Sequence, residues 1–196
     1  MARVEGIKKS LIKRGVEEQT VRELTRGGHL VDVIERMEAA LDAEVLREIL
    51  DEHGCGGGKE YLARLKKIGK DIAALPLADR VAHVDAVTPA SERYALNDDG
   101  TLAVTLAYDG GLPDDGGGRR YRCLCSAAVS KGVRVADLAA EASGRVMPLA
   151  YCHCCAGSCR RHLELQLGVA LRTKAVVSAP IHSQGGAPCG FVFEVV

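Results

Sequence analysis

Tryptophan is absent from this chain, and five tyrosines with two phenylalanines bring the aromatic content to only 4%. That scarcity argues against the aromatic platforms on which single-stranded nucleic acids stack. An excess of either charge is also missing. Lys+Arg and Asp+Glu both number 26, which leaves no basic footprint for a phosphate backbone. No apolar run approaches the roughly 20 residues of a membrane helix. The opening residues, Met1 to Lys9, contain no apolar signal region. Nucleic acids and membranes are therefore not expected as partners, and the cytoplasm is the expected compartment. The chain also lacks a serine-nucleophile motif and a dinucleotide fingerprint. The glycine-rich stretch Gly54 to Gly58 fails the phosphate-loop pattern, since no Ser or Thr follows Lys59.

What is present is enough apolar material for a packed core. Hydrophobic residues make up 47% of 196, well outside the composition of disordered chains. With few aromatics, that core must rest on Leu, Val, Ile and Ala. The first half carries helical periodicity. Ile7, Leu11 and Ile12 share one face. A second helix is expected from about Glu17 to Arg26, ending at Gly27-Gly28. Leu30, Val33, Ile34 and Met37 continue the period, as do Leu41, Val45, Leu46, Ile49 and Leu50, with Asp32 or Asp42 available as a cap. After the glycines come Tyr61, Leu62, Leu65, Ile68, Ile72 and Leu75 on one helical side, stopped by Pro76, and then a short helix over Leu77 to Val87. Packing between helices accounts for these stripes. They leave open an interaction role in which the helices pair two chains as a homodimer.

The pattern changes near Pro89. Tyr94 to Leu96, the turn Asn97-Asp98-Asp99-Gly100 and Thr101 to Tyr108 read as strand, turn, strand. Asp109 to Gly118 reads as a surface loop, Arg120 to Cys125 as a strand or its end, and Val135 to Ser143 as a helix. A helix is expected from about Ala156 to Leu167, terminated by Gly168. Val169 to Ile181 is rich in β-branched residues. Ser183 to Pro188 makes a turn, and Cys189 to Val196 closes the chain as the second strand of a hairpin. The expected fold is α+β: a helical region over 1–88, then a cysteine-containing domain over 89–196 with an antiparallel sheet packed with helices.

The chemistry concentrates in thiols. Seven of the eight cysteines lie between 123 and 189: Cys123-x-Cys125, Cys152-x-Cys154-Cys155, Cys159 and Cys189. In a reducing compartment such a set reads as metal ligands or reactive thiols before disulfides. Two C-x-C elements on loops or strand ends present four sulfurs, the donors that tetrahedral zinc and iron–sulfur clusters take. The spacing is not the C-x-x-C of zinc ribbons, and buried cysteine is also an ordinary small hydrophobe. Cys55, alone among glycines, fits that plainer role. Cys152, Cys154 and Cys155 precede a helix whose positive end favours thiolate, with Arg160 and Arg161 adding charge. Nucleophilic chemistry, with Cys152 or Cys154 attacking and Arg160 or His153 assisting, is therefore the alternative to ligation. Among the histidines, His153 lies between cysteines and His162 shares a helical face with Cys155 and Cys159. His29, His53, His83 and His182 lack partner spacing. Glu164 and Glu194 are acid–base candidates without a paired carboxylate.

From Tyr121 to Val196 the order of motifs resembles a known family. Cys123-x-Cys125 is followed by Tyr151-Cys152-x-Cys154 and a helix with Glu164-Leu165-Gln166-Leu167-Gly168. A β-rich stretch and Gly185-Gly186-x-Pro188-Cys189-x-Phe191 then lead into a final strand. The segment is similar to the C-terminal part of uncharacterised prokaryotic cysteine-rich proteins, a part related to the vinyl-reductase-like (4-vinyl reductase) small-molecule-binding domain. The resemblance implies an antiparallel sheet backed by helices. It also implies a zinc or iron site at Cys123, Cys125, Cys152, Cys154 and Cys189 beside a pocket for a small-molecule ligand. Cys155 and Cys159 fall outside that pattern, and the family has no assigned reaction.

Overall fold

The computed structural model describes residues 2–27, 30–54, 56–109, 121, 149–180, 182–183 and 185–196. The protein is α+β. Six helices precede the first strand among the described residues: α1 Ala2–Lys13, α2 Glu18–Leu24, α3 Leu30–Ala40, α4 Ala43–Glu52, α5 Lys59–Asp71 and α6 Leu77–Val87. Strands β1 Glu92–Leu96 and β2 Thr101–Leu106 follow. A 3-10 turn at Leu149–Cys152 then leads into α7 His153–Leu167, with β3 Leu171–Ser178 and β4 Cys189–Val195 at the end. No helix among the described residues is long and apolar enough to cross a membrane.

Two compact units divide the chain: Met1–Cys55 with Ala150–Ser158, and Gly56–Leu149 with Cys159–Val196. In the first, α1 to α4 pack through the stripes that periodicity picks out. Ile7, Leu11, Val33, Ile34, Met37, Ile49 and Leu50 are fully buried. Each such side chain stabilises the unit by about 1.5–3 kcal/mol relative to exposure. Asp42 is the cap of α4, its Oδ1 accepting the Glu44 N–H at 2.8 Å. Arg36 on α3 donates from Nε to the Leu24 carbonyl at the end of α2 (2.9 Å), as a cation at a helix C-terminus should.

The second unit holds a four-stranded sheet of order β1-β2-β4-β3 with every neighbouring pair antiparallel. Register places Tyr94 opposite Val104, Val104 opposite Phe191 and Leu106 opposite Cys189. One face therefore carries Leu102, Val104, Leu106, Cys189, Phe191 and Phe193, all buried, with Glu92 and Tyr94 continuing that face on β1. The β1–β2 turn closes because Gly100 takes φ 77°, while Asp99 Oδ1 accepts the Thr101 N–H at 3.0 Å. Helix α6 lies along β1, and Asp85 Oδ1 accepts the Tyr94 N–H at 2.8 Å.

Helices α5 and α7 cross at backbone distance. A Cβ added to Gly69 would stand 2.2 Å from the Leu165 carbonyl oxygen, so only glycine permits the crossing. Helix α5 stops at Asp71, short of the Leu75 that its apolar stripe reaches. Arg80 reaches back to the Ala73 and Leu75 carbonyls that follow, at 2.8 and 2.7 Å, and to the Leu167 carbonyl at 2.7 Å. One guanidinium thus satisfies the exposed carbonyls at the ends of two helices.

Helix α7 begins at His153, three residues before the expected Ala156. No Ser, Thr, Asp or Asn stands before His153 to mark the start, since Leu149–Cys152 is itself a 3-10 turn. The expected helix over Val135 to Ser143, the strand over Arg120 to Cys125 apart from Tyr121, and most of the loop over Asp109 to Gly118 lie outside the described residues.

Candidate functional site

The Cys152 to Cys155 segment sits where two backbones meet. A Cβ on Gly54 would lie 2.4 Å from the Cys154 carbonyl oxygen and from the Ser158 nitrogen. One on Gly157 would lie 2.0 Å from the Asp51 carbonyl oxygen. Two glycines, one from each side, let the first turns of α7 rest directly on the end of α4. Cys152 and Cys154 are buried there, at 1% and 3% exposure, and Cys155 is half-buried.

The geometry differs from the expectation in one respect. Cys152 and Cys154 were expected on loops or strand ends, where a two-residue spacing points both thiols to one face. They instead lie on consecutive helical turns, where residues two apart diverge by about 200°. Among the described residues no group of three or more His, Cys, Asp or Glu side chains is arranged to hold a metal. Cys123, Cys125 and Cys55 lie outside the described residues. Cys189 heads β4 in the other unit, buried on the inner face of the sheet.

His153 adds the one polar anomaly of this segment. Its Nδ1 is buried with no hydrogen-bond partner. Burial, with the Arg47 charge adding to it and the Asp51 charge opposing it, pushes the imidazole down to about 4. The ring is therefore neutral near pH 7, with a buried nitrogen left over.

Arg160, one of the two helpers proposed for thiol chemistry, is engaged elsewhere, and so are the acid–base candidates Glu164 and Glu194. Arg160 donates to Glu164 at 2.7 Å, and the same carboxylate oxygen accepts the Leu171 N–H at 3.1 Å, which ties the end of α7 to the start of β3. Glu194 pairs with Arg172 across β3 and β4. His53 hydrogen-bonds Ser10 at 2.8 Å, and Ser10 donates to Glu52 at 2.9 Å. Because the serine proton goes to Glu52, the imidazole Nε2 must be the donor to Ser10 Oγ. The arrangement therefore runs opposite to a nucleophile–base pair and acts as a brace between α1 and α4.

A second cluster, in the sheet-containing unit, escapes the sequence reading. Glu92 on β1 accepts the Tyr94 hydroxyl at 2.5 Å and the Tyr108 hydroxyl through its other oxygen. Tyr61 on α5 meets His162 on α7 edge-on, with ring centroids 5.0 Å apart. The Arg64 guanidinium lies 5.3 Å from the centre of the Tyr61 ring. His162 Nε2 is 3.2 Å from the Gly56 carbonyl. Cys159 is a buried free thiol. Burial first, and then the Glu92 charge, push that thiol far above its ordinary range. Burial likewise raises Tyr94 and Tyr108 and lowers His162. Phenols, thiol and imidazole are thus all neutral around a single carboxylate. Glu92 and Tyr94, two apart on one strand, were the available signal, but their meeting with Tyr61, Cys159 and His162 depends on tertiary packing.

These features define an α+β protein with a helical N-terminal portion, a thiol-rich helix start and a separate tyrosine–carboxylate cluster. No family model, no curated protein and no solved structure matches the chain.

Proposed function

We propose that this chain is a cytoplasmic binding or sensing protein that holds zinc or iron through cysteine thiolates, beside a pocket for a small molecule. The ligand set is drawn from Cys123, Cys125, Cys152, Cys154 and Cys189, the positions matching the vinyl-reductase-like pattern. The observation that carries the reading is the segment Cys152-His153-Cys154. Two buried thiols and a neutral imidazole with an unpartnered Nδ1 are gathered at one helix start. The buried imidazole nitrogen has lost hydration without gaining a hydrogen-bond partner, and binding an electrophile would supply one. The described residues hold no complete ligand group, and the proposed set draws its further donors from Cys123, Cys125 and Cys189. When bound, the metal would supply a fixed tetrahedral or cluster geometry that ties the ligand-bearing segments together.

A cysteine-dependent hydrolase or oxidoreductase is the competing reading. The burial of Cys152 and Cys154 weighs against it, since a nucleophile must be reached by substrate. The engagement of Arg160 by Glu164 weighs against it too.

The test is elemental analysis and an absorption spectrum of protein purified anaerobically without a metal-affinity tag. The expected result is about one equivalent of zinc or iron, lost together with thermal stability in Cys154→Ser, because a site assembled by the fold couples binding to folding. Metal-free protein that is fully stable would refute the proposal. Unchanged metal content in Cys154→Ser would refute this placement of the site.

A further inference from the structure

Glu92 is a carboxylate without a cation. It is half-buried on the inner side of β1, and among the described residues no lysine, arginine or histidine forms an ion pair with it. Its two oxygens each accept one phenol hydroxyl, from Tyr94 and Tyr108. Neutral donors spread the charge and do not cancel it, and a partly desolvated anion is costly until a counter-charge arrives. Each carboxylate oxygen also keeps a lone pair after accepting one hydrogen bond.

The surroundings are aromatic out of proportion to the chain. Three of the five tyrosines, Tyr61, Tyr94 and Tyr108, meet the field of this carboxylate. His162 and Cys159 meet it as well. The Tyr61 ring already attracts a cation, the Arg64 guanidinium, and at 38% exposure it lies within reach of solvent. Phenol rings around a carboxylate that has no ion-pair partner among the described residues offer an alkylammonium group two kinds of attraction. The rings contribute cation–π attraction and the carboxylate contributes the opposite charge.

We propose that Glu92, Tyr94 and Tyr108, with Tyr61 and His162 at the rim, form a binding site for a small organic ammonium ion. Its chemistry requires no metal, so it stands or falls apart from the thiolate site. Cys159 serves there as apolar backing, since a buried neutral thiol is inert toward electrophiles.

Because the chain has no tryptophan and three of its five tyrosines belong to this site, tyrosine emission of the full-length protein responds to its occupancy. The probes are (2-hydroxyethyl)trimethylammonium and its uncharged carbon isostere, 3,3-dimethylbutan-1-ol. The cation should give a saturable change in emission, binding at least roughly tenfold more tightly than the alcohol. Glu92→Gln should abolish that preference while circular dichroism is retained. If Glu92→Gln fails to fold, Tyr61→Ala replaces it, removes one ring from the rim and should weaken the cation by roughly tenfold. Equal binding of cation and alcohol would overturn the proposal. So would the absence of any response, an equal response to potassium ion alone, or unchanged affinity in the folded variant.

Discussion

Replacing Gly69 by alanine sets a local preference against a tertiary one. Gly69 lies inside α5, where alanine is favoured over glycine by about 1 kcal/mol on helix propensity alone. The structure reverses the sign. The new methyl would stand 2.2 Å from the Leu165 carbonyl oxygen and 3.1 Å from that of Gln166. Both are backbone atoms of α7 and cannot swing aside. Restoring ordinary contact requires the helices to separate by about 1 Å, which loosens the packing of Leu65, Leu163 and Leu167, all buried nearby. Overpacking of this kind costs about 3 kcal/mol at the upper end of its usual range. The net expectation is about 2 kcal/mol of destabilisation, or roughly 4–8 °C in Tm for a chain of this size. Urea denaturation followed by circular dichroism measures it. Ala63→Gly at an exposed position of the same helix calibrates the propensity term. A Gly69→Ala protein as stable as wild type, or more so, would refute the claim that the crossing is held at backbone contact. The same substitution should weaken binding of an organic ammonium ion, because the crossing sets Tyr61 on α5 against His162 on α7.

Two further expectations concern the α1–α4 brace. Ser10→Ala removes the hydroxyl that links Glu52 to His53 and should cost about 1–2 kcal/mol in denaturant melts; a change below about 0.5 kcal/mol would show that solvent replaces it freely. The Arg14 guanidinium, hydrogen-bonded to Glu52, is the largest influence holding that carboxyl below its ordinary 4.5, with the Ser10 hydroxyl assisting against the opposing effect of burial. A depressed carboxyl contributes stability that is fully present above 4.5 and lost as pH falls through the lower folded-state value. Arg14→Met should therefore flatten the acid limb of stability against pH and leave its neutral limb nearly parallel. An acid limb of unchanged slope would assign the acid sensitivity to other groups.

Much of the architecture is local information. Apolar residues at helical spacing, such as Ile7 with Leu11 or Val33 with Met37, can be buried only on one side of a helix, and they mark α1 to α4 in the sequence. Pro76 bounds α6, Gly168 ends α7, and the turns at Asn97–Gly100 and Ser183–Pro188 delimit the strands. These signals act over a few residues, so they survive without any knowledge of what packs on what. The start of α7 was not legible, because no capping residue marks it, and the thiol geometry followed from that start. With His153 helical, Cys152 and Cys154 diverge, whereas a strand would have aligned them.

Only the strand spacing of Glu92 and Tyr94 hinted at the tyrosine–carboxylate cluster. Glu92, Tyr94 and Tyr108 come from one hairpin, but Tyr61, Cys159 and His162 come from helices far along the chain in both directions. Nothing in their spacing says that a glycine at position 69 lets α5 and α7 close to backbone distance. Composition and periodicity determined that the chain folds as helices followed by an antiparallel sheet, because burial of a stripe or a face is a local demand. Which polar groups then share one low-dielectric neighbourhood, and which charge is left there without its counterpart, was decided only by tertiary packing, because desolvation and Coulomb energy depend on distance in space and not on distance along the chain.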